Sequence, residues 1–226
     1  MENAIKLIVF DIDGTLTETN SLDSDCFSGA IESVLGISDF DRTWSHYKHV
    51  TDNGVIEEIV QTHFGRAATA GELGAIEANF VYRLERFDDS CFRQVKGAGD
   101  FLERLKALND IELALATGGW ESSARLKLKR AGIDITGVPL ASSSDSCERV
   151  DIMKIAVDRV KEKMGDTEFE EILYFGDAVW DVKATGILDW RLIGIGQDYE
   201  KLVEMGVSDS YLDYSDTAGV YNSIIS

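Results

Sequence analysis

Two acidic side chains one residue apart, Asp11 and Asp13, are the first groups in the chain whose types and spacing suit chemistry. They follow the apolar run 7–10, L-I-V-F, and precede Gly14, which permits a sharp backbone turn. Burying two carboxylates side by side is costly, because each is desolvated and each repels the other. A divalent cation offsets both effects, and hard carboxylate oxygens suit Mg²⁺. The pattern therefore indicates a Mg²⁺ site, although a solvated turn also produces Asp-x-Asp-Gly.

The element that must position this pair is a buried strand. A continuous apolar run such as 7–10 is typical of a strand covered on both faces in a parallel sheet. Two later strand-like segments, 112–116 and 172–175, also end in polar turns, and helical patterns lie between the segments. Strands that alternate with helices predict a doubly wound parallel α/β sheet, whose ligands bind at the carboxyl ends of the strands.

A stretch without strand-like alternation interrupts this pattern directly after the first strand. Helices are expected from Ser21, over residues 41–47 and 54–64, and from the capping-box pair Thr69 and Glu72. We therefore expect residues 1–17 and 94–226 to form the α/β core, and residues 18–93 to form a small helical cap inserted above the carboxyl edge of the sheet.

The charge balance limits the possible partners. The chain has 22 Lys and Arg against 41 Asp and Glu, a formal net charge of −19. Such a surface repels nucleic acids and anionic membranes, so we expect neither as a partner. Three scattered cysteines, no signal-peptide pattern and no apolar stretch of about 20 residues favour a cytoplasmic protein. As an oligomeric state we expect a monomer or a weak homodimer.

The segment 10–17, F-D-I-D-G-T-L-T, resembles the first signature of the haloacid dehalogenase superfamily of phosphatases and phosphotransferases. The resemblance implies that Asp11 is a nucleophile and Asp13 a general acid and base. It also implies that the carboxylates of Asp11 and Asp177 and the main-chain carbonyl of Asp13 hold Mg²⁺. Relatives that act on haloacids or phosphonates do not keep an acid at the position of Asp13, so its presence implies phosphate esters. Thr15 is a further candidate, either for binding phosphate or for holding the site residues in place.

The other signatures of the superfamily have counterparts later in the chain. A-L-A-T-G-G-W, at 114–120, resembles the second, in which the Thr117 hydroxyl and the Gly118 amide would bind phosphoryl oxygens. Y-F-G-D-A-V-W-D, at 174–181, resembles the fourth, in which Asp181 would hold a water molecule or a basic residue.

The third signature, a basic residue at the start of a helix, has two candidates. Arg149 in R-V-D-I-M fits the spacing, with Lys154 as the alternative, and either could instead be a surface base at a helix terminus. An arginine would keep its charge in a dry site and could bridge a carboxylate and a phosphoryl oxygen.

Substrate selection is expected in the cap, where residues 44–54 are unusually aromatic and polar. Trp44, His49 and Thr51 are the candidates for contact with the leaving group. In the alternative interpretation Thr51 or Asp52 caps the next helix, and the aromatic side chains pack inside the cap.

These features predict a Mg²⁺-dependent phosphatase that hydrolyses a small phosphorylated metabolite through an aspartyl-phosphate intermediate. A phosphosugar mutase or phosphotransferase of the same superfamily is the alternative, since it would pass the phosphoryl group to a substrate hydroxyl. A receiver-like module, which accepts a phosphoryl group on aspartate and works by binding partners, is the alternative from another functional class.

Overall fold

A computed structural model describes residues 5–165 and 167–225, and its centre is a parallel sheet. The strands are β1 (Lys6–Phe10), β2 (Ile111–Ala116), β3 (Leu140–Ala141), β4 (Glu171–Gly176), β5 (Arg191–Ile195) and β6 (Ser210–Tyr211). Their order is β3-β2-β1-β4-β5-β6, and all the pairs are parallel. The predicted doubly wound α/β fold is confirmed.

Helices cover both faces of this sheet. The helices are α1 (Asn20–Leu35), α2 (Asp52–Phe64), α3 (Ala70–Glu85), α4 (Ala98–Lys106), α5 (Glu121–Arg130), α6 (Arg149–Met164), α7 (Val179–Leu188), α8 (Tyr199–Glu204) and α9 (Thr217–Ile225). Ile8 and Phe10 of β1 point into the core shared with α4, α5 and α9, whereas Leu7 and Val9 point into the core shared with α6, α7 and α8. All four side chains are fully buried, as a central strand requires.

The segment between β1 and α4 folds as a helical group of its own, α1 to α3 with their connecting loops. Phe27, Ile56 and Phe80 lie in a separate hydrophobic cluster, which Trp120 joins from the loop before α5. The chain enters and leaves the group at neighbouring points, because the Glu18 amide donates to the Arg93 carbonyl at 2.8 Å. The helical group thus packs against the start of α5.

Some details of the predicted elements were wrong. Residues 41–47 form only the short 3₁₀ turn Trp44–His46, because side chains there bond to the backbone instead: Asp41 accepts from the Thr43 amide, and the Tyr47 hydroxyl donates to the Asp41 carbonyl. The helix expected from Ser21 begins at Asn20. Helix α9 was not predicted at all.

Within the described residues, no helix is both long and apolar enough to cross a membrane.

Candidate active site

The carboxyl ends of the three central strands bring together side chains that are far apart in sequence. In the parallel register Phe10 of β1 is level with Leu115 of β2 and with Phe175 of β4. The residues that follow these strands, Asp11, Thr117 and Asp177, therefore reach the same edge of the sheet. All three line one cavity of about 220 Å³.

Three carboxylates and one guanidinium form what we call the strand-end cluster: Asp11, Asp177, Asp181 and Arg149. Each carboxylate offers an oxygen within 4.8 Å of the others. Asp11 and Asp181 are buried, and Asp177 is half-buried against the cavity. Arg149 Nη1 donates to Asp181 at 3.1 Å and lies 3.8 Å from Asp11 Oδ1. One positive charge thus faces three negative ones.

Burial and mutual repulsion make these carboxylates hard to ionise. Burial, opposed by Arg149 and assisted by Asp181, raises the pKa of Asp11 to about 7. Burial first, and then the charges of Asp181 and Asp11, raise the pKa of Asp177 well above its ordinary value. Burial alone would lower the pKa of Arg149, but the two neighbouring carboxylates raise it, so the guanidinium stays charged.

This chemistry fits a hard divalent cation. A cation between Asp11 and Asp177 would remove the repulsion that raises their pKa values. Asp181 is already engaged, because it accepts from Arg149 and from the Ala178 amide at 3.1 Å. Asp11 and Asp177 are therefore the carboxylates available to a metal, with Asp181 holding the arginine beside them.

Gly14 makes room for Asp177. Its φ is +80°, in the left-handed region, and a Cβ at this position would lie 1.8 Å from Asp177 Oδ2. The same oxygen accepts from Asn20 Nδ2 at 2.9 Å. A side chain at residue 14 would thus displace the carboxylate that the strand end presents to the cavity.

Of the other candidates, Thr117, Gly118 and Arg149 line the cavity. Gly118 must remain small, since a Cβ there would lie 2.8 Å from the Val50 carbonyl oxygen, as well as 2.5 Å from Arg149 Nη2. Lys154, the alternative base, is exposed on α6 and lies 3.7 Å from Asp151, away from the cavity. Thr15 is fully buried outside the cavity lining.

Two of the three candidate specificity residues line the cavity, and the third does not. Trp44 and Thr51 line the cavity, but each has a structural contact: Trp44 Nε1 donates to Ser24 at 3.0 Å, and Thr51 accepts from the Gly54 amide as the N-cap of α2. His49 lies outside this lining, beside Glu148 at 3.8 Å.

A second group of charges, which we call the lysine cluster, was not predicted from the sequence: Asp13, Asp23, Asp52 and Lys127. Lys127, on α5, is fully buried, with its Nζ 2.5 Å from Asp13 Oδ2 and also bonded to Asp23. Burial, opposed by Lys127, raises the pKa of Asp23 to about 6. Burial and the charge of Asp23 raise the pKa of Asp52 well above its ordinary value.

The sequence held one signal for Lys127. Ala124, Lys127 and Leu128 have the i, i+3, i+4 spacing of an inward helix face, and both apolar neighbours are buried. A lysine at such a position needs a buried counter-charge, but the sequence does not say which carboxylate provides it.

A family model described as "haloacid dehalogenase-like hydrolase" matches residues 5–185. The chain belongs to this family. No curated protein matches this haloacid dehalogenase-like hydrolase significantly.

Solved structures share the whole fold of this family member. A hydrolase from Pseudomonas syringae is 23% identical, with a TM-score of 0.69 over 92% of this chain and 95% of that one. CbbY from Rhodobacter sphaeroides, in complex with xylulose-(1,5)bisphosphate, is 20% identical, with a TM-score of 0.72 over 96% of this chain and 99% of that one. A β-phosphoglucomutase from Clostridium difficile is 16% identical, with a TM-score of 0.70 over 98% of this chain and 99% of that one. At these identities the likeness shows the fold alone.

Proposed function

We propose that this haloacid dehalogenase-like hydrolase is a Mg²⁺-dependent phosphatase that hydrolyses a small phosphorylated metabolite through an aspartyl-phosphate on Asp11. The observation that carries the proposal is the meeting of five groups around one cavity. These groups are Asp11, Asp13, Thr117, Arg149 and Asp177. In this proposal residues 18–93 act as a cap over the carboxyl edge of the sheet.

In the first step a carboxylate oxygen of Asp11 attacks phosphorus, and the bond from phosphorus to the leaving oxygen breaks. Asp13 gives its proton to that oxygen. Arg149, the Thr117 hydroxyl and the Gly118 amide bind the phosphoryl oxygens and balance their charge.

In the second step water attacks the phosphorus of the aspartyl-phosphate, and Asp13 takes a proton from this water. The bond from phosphorus to Asp11 breaks, its electron pair returns to the carboxylate, and inorganic phosphate leaves. Asp11, Asp177 and the Asp13 main-chain carbonyl would hold a Mg²⁺ ion, whose positive charge would let one anion attack another.

The charges of the cavity favour water over a sugar hydroxyl as the final acceptor. Of the described residues that line it, Arg149 is the single Lys or Arg, while six are aspartates: Asp11, Asp13, Asp23, Asp52, Asp177 and Asp198. A mutase that works through a bisphosphate must hold a second phosphate, which would face carboxylates here. This distribution supports a phosphatase of monophosphates over the mutase alternative.

Release of inorganic phosphate from a panel of phosphate monoesters tests the proposal. We expect release from at least one ester with Mg²⁺ and none with excess chelator. Asp11→Asn should reduce kcat by at least about 10⁴-fold, as loss of a nucleophile does in other enzymes. Asp158→Asn, the same change at an exposed position of α6, should leave kcat unchanged.

Two outcomes would contradict this function. Full activity of Asp11→Asn would remove Asp11 as the nucleophile. Phosphoryl transfer between sugar positions, dependent on an added bisphosphate and with little free phosphate, would identify a mutase instead.

A further inference from the structure

Lys127 is a buried charge to which the proposed reaction gives no role. Its side chain is 0% exposed and does not line the cavity, yet its Nζ lies 2.5 Å from Oδ2 of Asp13. Its second partner is Asp23, on the first helix of the helical group. A buried ammonium persists only where opposite charges compensate for its lost hydration. Here one compensating group is the proposed acid and base.

Both carboxylate oxygens of Asp13 are held by donors. Oδ1 accepts from the Thr19 hydroxyl at 2.5 Å, and that hydroxyl is itself 2.6 Å from the Thr17 hydroxyl. Oδ2 accepts from Lys127. A carboxyl group rotates freely about its last bond unless each oxygen is fixed, so these two donors set the plane of the group.

Asp13 nevertheless faces the reaction. Its side chain is 20% exposed and lines the cavity, while Lys127 approaches from the protein interior. Proton transfer depends on the position of the donor to within a fraction of an ångström, so a fixed carboxyl plane has a direct kinetic consequence.

We infer that Lys127 is a positioning residue that holds the carboxyl group of Asp13 in place to protonate the leaving oxygen, and that Asp23 links this arrangement to α1. The inference rests on the proposed phosphatase function. The helical group takes part in this alignment, because Thr19 and Asp23 belong to it, whereas Lys127 belongs to the core.

The choice of leaving group separates positioning from a purely structural role. An alkyl phosphate leaves as an alkoxide and needs the proton of Asp13, whereas 4-nitrophenolate leaves without one. Asp13 would also activate water in the second step for both esters. The measurement must therefore isolate the first step, by rapid quench with enzyme in excess over ester.

Lys127→Met is the main variant, and Lys129→Met, exposed on the same helix, is its matched control. We expect Lys127→Met to slow the first step by at least about 10²-fold with propyl phosphate and by less than about 3-fold with 4-nitrophenyl phosphate, in line with the size of general acid catalysis. Lys129→Met should match the wild type with both esters. Equal slowing of both esters by Lys127→Met would overturn the inference.

Asp23→Asn keeps the test decisive if Lys127→Met does not fold, as judged by circular dichroism. This variant leaves Lys127 on Asp13 but weakens its link to α1. We expect the same dependence on the leaving group but a smaller effect. The first step should slow about 10-fold with propyl phosphate and should not slow with 4-nitrophenyl phosphate. A loss that does not depend on the leaving group would again overturn the inference. A wild type that releases phosphate from no ester of the full panel would instead contradict the proposed function.

Discussion

The strand-end cluster and the lysine cluster bury similar numbers of carboxylates but balance their charge in different ways. In the strand-end cluster three aspartates share Arg149, and the cavity reaches Asp11 and Asp177. In the lysine cluster the ammonium of Lys127 is completely enclosed and bonded to two carboxylates.

This difference indicates that the strand-end cluster is a binding site, whereas the lysine cluster holds a neighbouring side chain in place. Negative charge that the protein leaves uncompensated beside a cavity favours a cation from solution. In the lysine cluster Asp13 and Asp23 each bond directly to one enclosed ammonium, an arrangement that favours a fixed geometry. Asp11 belongs to the first situation and Asp13 to the second, although only one residue separates them.

Among the variants that compare the two clusters, the largest effect is expected from removing the single base of the strand-end cluster. Arg149→Met should lower kcat/KM by about 10²- to 10³-fold, because Asp11 and a bound phosphoryl group both lose their positive neighbour. Lys154→Met, on the same helix, is the control and should leave phosphate release unchanged. An equal loss of activity in the two variants would show that Arg149 is not the positive charge on which Asp11 and the phosphoryl group depend.

A methyl group at Gly14 should weaken metal binding. The new Cβ would collide with Asp177 Oδ2, so we expect the Mg²⁺ concentration for half-maximal activity to rise about 10- to 100-fold. Gly137→Ala is the matched control, because its φ of +77° brings the same backbone strain, about 1–2 kcal/mol, while no atom of the described residues lies within 4 Å of the new Cβ. Equal Mg²⁺ dependence of both variants would argue against Asp177 as a ligand.

The last expected effect changes stability and not activity, and it concerns the response of the lysine cluster to pH. Folding raises the pKa of Asp23 from 3.8 to about 6, so from pH 4 to 6 the folded chain keeps a proton that the unfolded chain has lost. The contribution of Asp23 to the free energy of unfolding therefore falls as the pH rises through this window, by up to about 3 kcal/mol.

Urea unfolding of the wild type and Asp23→Asn at pH 4 and pH 7, with chelator, measures this effect. The variant should gain stability relative to the wild type between the two pH values, whereas Asp158→Asn, at an exposed position, should show no such trend. A pH-independent difference between the wild type and Asp23→Asn would show that burial does not disfavour the Asp23 charge.

The two clusters also differ in how far the sequence predicts them. Asp11, Thr117 and Asp177 directly follow apolar strands, so the parallel register alone places them at one edge. The lysine cluster joins α5 to α1 through a side-chain contact 104 residues apart in sequence, and no local pattern specifies that packing. Thr19 shows the same limit, since its hydroxyl bonds to Asp13 and does not cap α1.

The helix predicted over residues 41–47 does not form, because side chains there make hydrogen bonds with main-chain groups. Asp41 and Tyr47 bond to nearby main-chain groups, which replaces the expected helix with a 3₁₀ turn. In the tail, Gly219 lies within α9 and weakens its sequence pattern, although Val220 and Ile224 are fully buried against the sheet.

The most direct test of the central claim is to locate the phosphoryl group during turnover. Wild-type enzyme, quenched in acid within one turnover of a hydrolysed ester and digested, should carry a hydroxylamine-sensitive phosphoryl group on the peptide that contains Asp11. Asp11→Asn should carry none. Turnover without any phosphorylated peptide, or with the phosphoryl group on a different residue, would contradict the account.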